Sequence, residues 1–97
     1  MERQFYVYIL TNPVNTVLYT GFTNNLLNRV HQHRTKAVPG FTARYNVSKL
    51  VYYEVLSTAY EGIAREKRIK GGSRADKIAL VNSTNPEWRD LFDELTG

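Results

Sequence analysis

Tyr6, Tyr8 and Leu10 fall on one side of an extended segment, and Phe5, Val7 and Ile9 fall on the other. Both faces of Phe5–Thr11 are therefore apolar, which predicts a strand covered on both sides, at the centre of a sheet. Asn12-Pro13 and Asn15 supply a turn. Val17–Thr20 then reads as the return strand, with Gly21 permitting a tight exit. Thr23 or Asn24 can cap a helix over about 25–36, in which Leu26, Leu27, Val30 and Arg34 keep helical spacing. Val38-Pro39-Gly40 ends that helix, and residues 40–49 read as a basic, polar loop or a short irregular helix. Leu50–Leu56 is a strand by its branched and aromatic content. Ser57 or Thr58 caps a second helix, with Glu61 at the capping-box position relative to Thr58, and Gly71-Gly72 stops it. Ser73 with Asp76 begins a third helix. A last short helix is predicted from Pro86, with Trp88, Leu91, Phe92 and Leu95 sealing one edge of the fold. The order is ββα, loop, βαα, then a short helix.

Composition narrows this picture. The chain of 97 residues is predicted to form one domain over residues 1–97, with 83–97 as a helical extension. Its core must be small. Cysteine is absent, which excludes disulfides, thiolate metal sites and cysteine nucleophiles. No run approaches the roughly 20 apolar residues of a membrane span. The N-terminus lacks the basic segment and cleavage site of a signal peptide, so a cytoplasmic setting is expected.

The net charge of +4 is unevenly placed. No acidic residue occurs between Glu2 and Glu54, while Arg3, Arg29, Arg34, Lys36, Arg44 and Lys49 do. Arg65, Lys67, Arg68, Lys70, Arg74 and Lys77 form a second basic group. Glu87, Asp90, Asp93 and Glu94 then reverse the sign. A basic body favours a polyanionic partner, and the basic group around Glu66 would attract a phosphate backbone. Arg44, Tyr45 and Lys49 can extend that track or stack on an unpaired base. Nothing in the sequence points to base-specific readout.

Tyr6-Val7-Tyr8, then Tyr19-Thr20-Gly21, then a helix with Arg29 and His33, then REKRIKG with Glu66, resembles the GIY-YIG nuclease family, in particular its small stand-alone members. The resemblance runs from about Phe5 to Leu80. It implies an α+β fold, a small three-stranded antiparallel sheet flanked by helices, in agreement with the pattern above. It also implies that Tyr6, Tyr19, Arg29, His33 and Glu66 line the catalytic site, with Glu66 holding one divalent metal. Tyr6 stands where the family has its first glycine, and Thr20 replaces the middle isoleucine of the second motif. Many members add an asparagine to the site, for which Asn82 and Asn85 are the nearby residues.

The function so implied is a metal-dependent endonuclease hydrolysing DNA phosphodiester bonds, on structured or damaged DNA and with or without a protein partner. Magnesium or manganese at a single site on Glu66 would relieve phosphoryl charge, because magnesium tolerates sparse protein ligation. Arg29 stays charged and can contact two phosphoryl oxygens. Tyr19 is one choice of general base, although an ordinary phenol with a pKa of about 10 is a poor one. His33 is the other, either directly or by accepting the tyrosine's proton. The family resemblance favours Tyr19. The alternatives are a catalytically weak nucleic-acid-binding module and a protein-interaction domain on the same fold.

Overall fold

In a computed structural model that describes residues 4–96, the doubly apolar strand β1 (Phe5–Thr11) is the middle of a three-stranded sheet in the order β2-β1-β3. Glu2 and Arg3, counted in the charge pattern above, lie outside the described residues. Strand β2 (Leu18–Thr23) and strand β3 (Lys49–Leu56) both run antiparallel to β1. Helices follow as α1 (Leu26–Arg34), α2 (Phe41–Arg44), α3 (Ala59–Gly71), α4 (Arg74–Thr84) and α5 (Leu91–Thr96). Among the described residues no helix is long and apolar enough to cross a membrane.

The alternation along β1 builds two cores. Val7 and Ile9 pack with Ile69 of α3 and Val81 of α4 on one face. Tyr8 and Leu10 pack with Leu26 and Val30 of α1 on the other, where Leu91 and Phe92 of α5 close the cluster. The caps of α3 and α4 follow their sequence signals, whereas α1 is capped one residue later than expected, by Asn25 and not by Thr23 or Asn24, because the Thr23 hydroxyl accepts from the Asn25 amide. Thr58 caps α3 by accepting from the Glu61 amide, and Ser73 with Asp76 forms a full capping box on α4.

Two further expectations change. Strand β2 continues through Gly21 to Thr23, so this glycine is no exit. The last helix starts at Leu91 and not at Pro86, because Trp88 takes a left-handed φ of 55° and its amide turns back to the Asn85 carbonyl at 2.9 Å. That turn lets residues 85–92 wrap the outer edge of β3. The pairing of β1 with β3 slips between Ile9, opposite Tyr52, and Leu10, opposite Leu50, which leaves Val51 as the extra residue of a bulge. Asn85, itself buried, donates its side-chain amide to the Val51 carbonyl at 3.1 Å. Asp90 accepts from the Leu50 amide at 3.3 Å and from Arg34 of α1 at 2.7 Å. Trp88 packs on one core and Leu91 and Phe92 on the other, so this segment straddles the sheet edge.

Thr20 is the misfit of the fold. It is buried opposite Ile9, and its hydroxyl has no hydrogen-bond partner among the described residues. Thr20→Val, nearly the same shape, removes that orphaned group and is expected to stabilise the domain by about 1 kcal/mol. For a domain this small, the melting temperature should rise by about 4–8 °C per kcal/mol. A thermal melt reads this directly, and a lower melting temperature would mean that the hydroxyl is satisfied.

Candidate active site

Gly21 sits directly opposite Tyr8 across the β1–β2 ladder. A Cβ at residue 21 would fall deep inside the van der Waals surface of the Tyr8 ring and hydroxyl. The missing side chain is thus the clearance through which the Tyr8 phenol crosses β2 towards the sheet margin. Tyr19, two residues earlier on β2, points to the same face and stands 6.4 Å from Tyr8, ring centre to ring centre.

Helix α1 delivers the next groups. His33, in its last turn, is buried with only 2% of its surface exposed. Its Nε2 lies 3.3 Å from the Tyr8 hydroxyl and its Nδ1 lies 3.0 Å from the Thr42 hydroxyl on α2. A neutral imidazole carries one N–H and one lone pair, so it donates through one of these contacts and accepts through the other. The Tyr19 ring leans on His33 at 5.5 Å without a hydrogen bond between them. Arg29, one turn before His33, is half-buried.

Electrostatics assign protonation states. Burial, and then the neighbouring Tyr19, push the Tyr8 phenol far above its ordinary range. The Arg29 charge pulls it down and the Glu66 charge pushes it further up, which puts both charges within reach of this hydroxyl. Tyr8 is therefore neutral at physiological pH. Burial, and then the Arg29 charge, hold His33 below its ordinary pKa, so the imidazole is neutral too.

This depression has a sign. The unfolded chain, with its imidazole near pKa 6.5, takes up the proton before the folded chain does. His33 thus contributes stability that is present above about pH 6.5 and is lost as the pH falls towards its lower folded pKa. Urea denaturation between pH 7 and 5 should show stability falling, and His33→Gln should flatten that slope. An unchanged slope in the variant would assign it to other groups.

Glu66 lies on α3, which packs across the other sheet face, and its side chain is one-fifth exposed, paired with Lys70 at 3.2 Å. Among the described residues no three His, Asp or Glu side chains converge. The donor set therefore fits one hard cation held by a single carboxylate, with water completing its shell, as magnesium accepts. Lys70 is half exposed and at an i,i+4 spacing, a weak surface pair that a cation can displace.

Other candidates are placed elsewhere. Tyr6 shares the face of Tyr8 but stands two residues nearer the start of the strand, opposite Thr23 and not Gly21. Its hydroxyl donates to Gln4 at 2.9 Å, and its ring lines a separate cavity with Asn25, Leu27, Val55 and Leu95. Asn85 holds the β3 bulge, and Asn82 accepts from the Trp88 indole at 2.7 Å.

Much of the basic surface is committed within the chain. Arg65 forks onto Glu54, with contacts of 2.8–3.1 Å, and the Tyr52 hydroxyl donates to the same carboxylate. Burial and this carboxylate push Tyr52 up to about 12. Burial alone would raise Glu54, but the Arg65 and Tyr52 hydrogen bonds outweigh it and hold the carboxyl below its ordinary value. Lys77 donates to the Gly72 carbonyl at 2.8 Å and Arg74 to the Thr16 carbonyl at 2.8 Å. Lys49 donates to Asn15 at 3.0 Å. Lys67 and Arg68 are exposed and make no side-chain hydrogen bond or ion pair among the described residues. Arg44 lies over the Tyr45 ring, 5.4 Å from its centre.

Tyr8, Thr42 and Gly21 belong to the cluster but were not singled out for it from the sequence. Tyr8 had a signal there: period-two alternation sets it on the face of Tyr6 and, two residues further in, against the second motif. Thr42 had none, since its contact with His33 closes a loop rather than a helix turn.

A tyrosine pair, a guanidinium and a neutral imidazole thus gather at one margin of a three-stranded antiparallel sheet in a small α+β domain. Residues 4–79 match the GIY-YIG catalytic domain, and the chain belongs to that family. It is 38% identical to a UPF0213 protein of Clostridium perfringens, over 93% of this chain and 96% of the relative. A UPF0213 protein of Syntrophus aciditrophicus is 39% identical over 84% and 93% of the two chains. Its fold is similar to the solution NMR structure of the UPF0213 protein of Bacillus halodurans, with a TM-score of 0.57 and 25% identity, covering 90% of this chain and 92% of that one. The three-stranded α+β architecture expected from the sequence is thus the fold of this group.

Proposed function

We propose that this domain is a divalent-metal-dependent endonuclease that hydrolyses DNA phosphodiester bonds. The observation that carries this reading is the chain Tyr8–His33–Thr42, set beside Arg29. With Nδ1–H donating to Thr42, the His33 Nε2 lone pair faces the Tyr8 hydroxyl. As Tyr8 Oη takes a proton from the attacking water, its own proton passes to His33 Nε2. A phenol too weakly acidic to ionise alone can act in this way because it hands one proton on as it receives another. This moves the proton-accepting role from Tyr19 to Tyr8, and Tyr19 then walls and orients. Arg29 offers fixed positive charge to the phosphoryl oxygens as their charge grows. A magnesium or manganese ion on Glu66 would supply Lewis-acid stabilisation of the same group.

The test is cleavage of single-stranded, duplex and branched DNA with magnesium or manganese, with and without chelator. Arg29→Ala and Glu66→Gln, each shown to be folded, are expected to lower cleavage towards background. Equal cleavage by all three proteins would remove the site. DNA binding without cleavage would favour the second reading, a binding module, which the exposed Lys67 and Arg68 support.

A further inference from the structure

Helix α2 carries more than the threonine that holds His33. Phe41 and Tyr45 lie four residues apart, so they share one side of this turn while Thr42 points inward. Both are exposed, Phe41 by 48% and Tyr45 by 43%. Their rings stand 5.0 Å apart, and Phe41 stacks on Tyr19 at 6.5 Å with 27° between the planes. The Arg44 guanidinium lies over the Tyr45 ring, 5.4 Å from its centre. An aromatic ladder thus runs from the wall of the catalytic site outward and ends on a guanidinium.

The ladder is held in place. The Thr42–His33 hydrogen bond ties α2 to the site, and the Val47 amide closes onto the Thr42 carbonyl at 2.9 Å. Gly40 opens the turn at φ 107° and ψ −141°, a conformation that side-chain-bearing residues rarely adopt. The backbone is shaped to present two rings to solvent, and neither ring is needed to fill the core.

We infer that Phe41, Tyr45 and Arg44 form a stacking shelf for an unpaired DNA base next to the scissile phosphate. The inference rests on the nuclease reading for its substrate. Half-exposed aromatic rings beside a guanidinium suit a nucleobase flanked by phosphate, whichever base it is. A base inside a duplex has both faces occupied by its neighbours. The shelf therefore selects flaps, gaps, loops or mismatches by shape and leaves sequence unread.

The experiment uses the full chain, with chelator present, and a single-stranded oligonucleotide carrying 2-aminopurine, compared with the same strand in a duplex. Binding of the single strand should quench the probe, and binding of the duplex should not. Phe41→Ala with Tyr45→Ala should abolish the quench and weaken single-strand binding by about tenfold or more, while Phe41→Trp keeps both. Circular dichroism checks folding, and Phe41→Leu alone carries the comparison if the double variant is unstable. Unchanged quench and affinity in the alanine variants, or no single-strand binding by the wild type, overturns the shelf. The nuclease reading is judged apart, with metal restored. Quench without cleavage keeps the shelf and removes the nuclease, and cleavage without quench does the reverse.

Discussion

Tyr8→Phe is expected to lower the cleavage rate by about 10²–10⁴-fold, the range for loss of a positioned acid–base group. The substitution removes one oxygen and nothing else. The ring, 1% exposed, keeps its packing over Gly21 and against Leu10 and Val30. The stability cost is confined to the partner lost by His33 Nε2, about 1 kcal/mol by urea denaturation. A large kinetic loss with a small stability loss separates a chemical role from a structural one. Tyr19→Phe is the matched control, since Tyr19 makes ring contacts but no hydrogen bond to His33. Wild-type cleavage by Tyr8→Phe, with loss in Tyr19→Phe, would return the proton-accepting role to Tyr19.

Gly21→Ala should damage the same step from across the ladder. The new methyl group occupies the space of the Tyr8 ring end, so the phenol must swing away from His33. Overpacking at a buried site costs about 1–3 kcal/mol, and cleavage should fall about as far as in Tyr8→Phe. The two changes act through one hydroxyl, so their kinetic effects should not add. In a Tyr8→Phe background, Gly21→Ala should lower stability further but leave the residual rate nearly unchanged. Additive kinetic losses would show that the glycine serves the site by some other route.

The fold was legible where signals are local. The doubly apolar β1, the capping box at Ser73 and the cap at Thr58 all appear as written in the sequence. The site was legible only in part, because it depends on register. Alternation places Tyr6 and Tyr8 on one face, but only the pairing of Tyr8 with Gly21 tells which of them reaches Arg29 and His33. Gly21 looked like a strand end because the ring that needs its space comes from another strand. Trp88 looked helical because its spacing to Leu91, Phe92 and Leu95 is right, yet its left-handed backbone breaks the run. The basic residues misled for a related reason. Arg65 finds Glu54, and Arg34 finds Asp90, through folding and not through neighbouring sequence.

The segment after α4 has a practical consequence for where this domain ends. The match to the GIY-YIG catalytic domain stops at residue 79, before Asn85 reaches the β3 bulge and Asp90 takes the Leu50 amide. Arg34, on the helix that bears Arg29 and His33, lies 4.6 Å over Phe92 as well as against Asp90. The boundary of the matched domain and the boundary of the packed fold are therefore different. A fragment cut at the first would retain every candidate catalytic side chain and yet present an open strand edge, ready to pair with another chain.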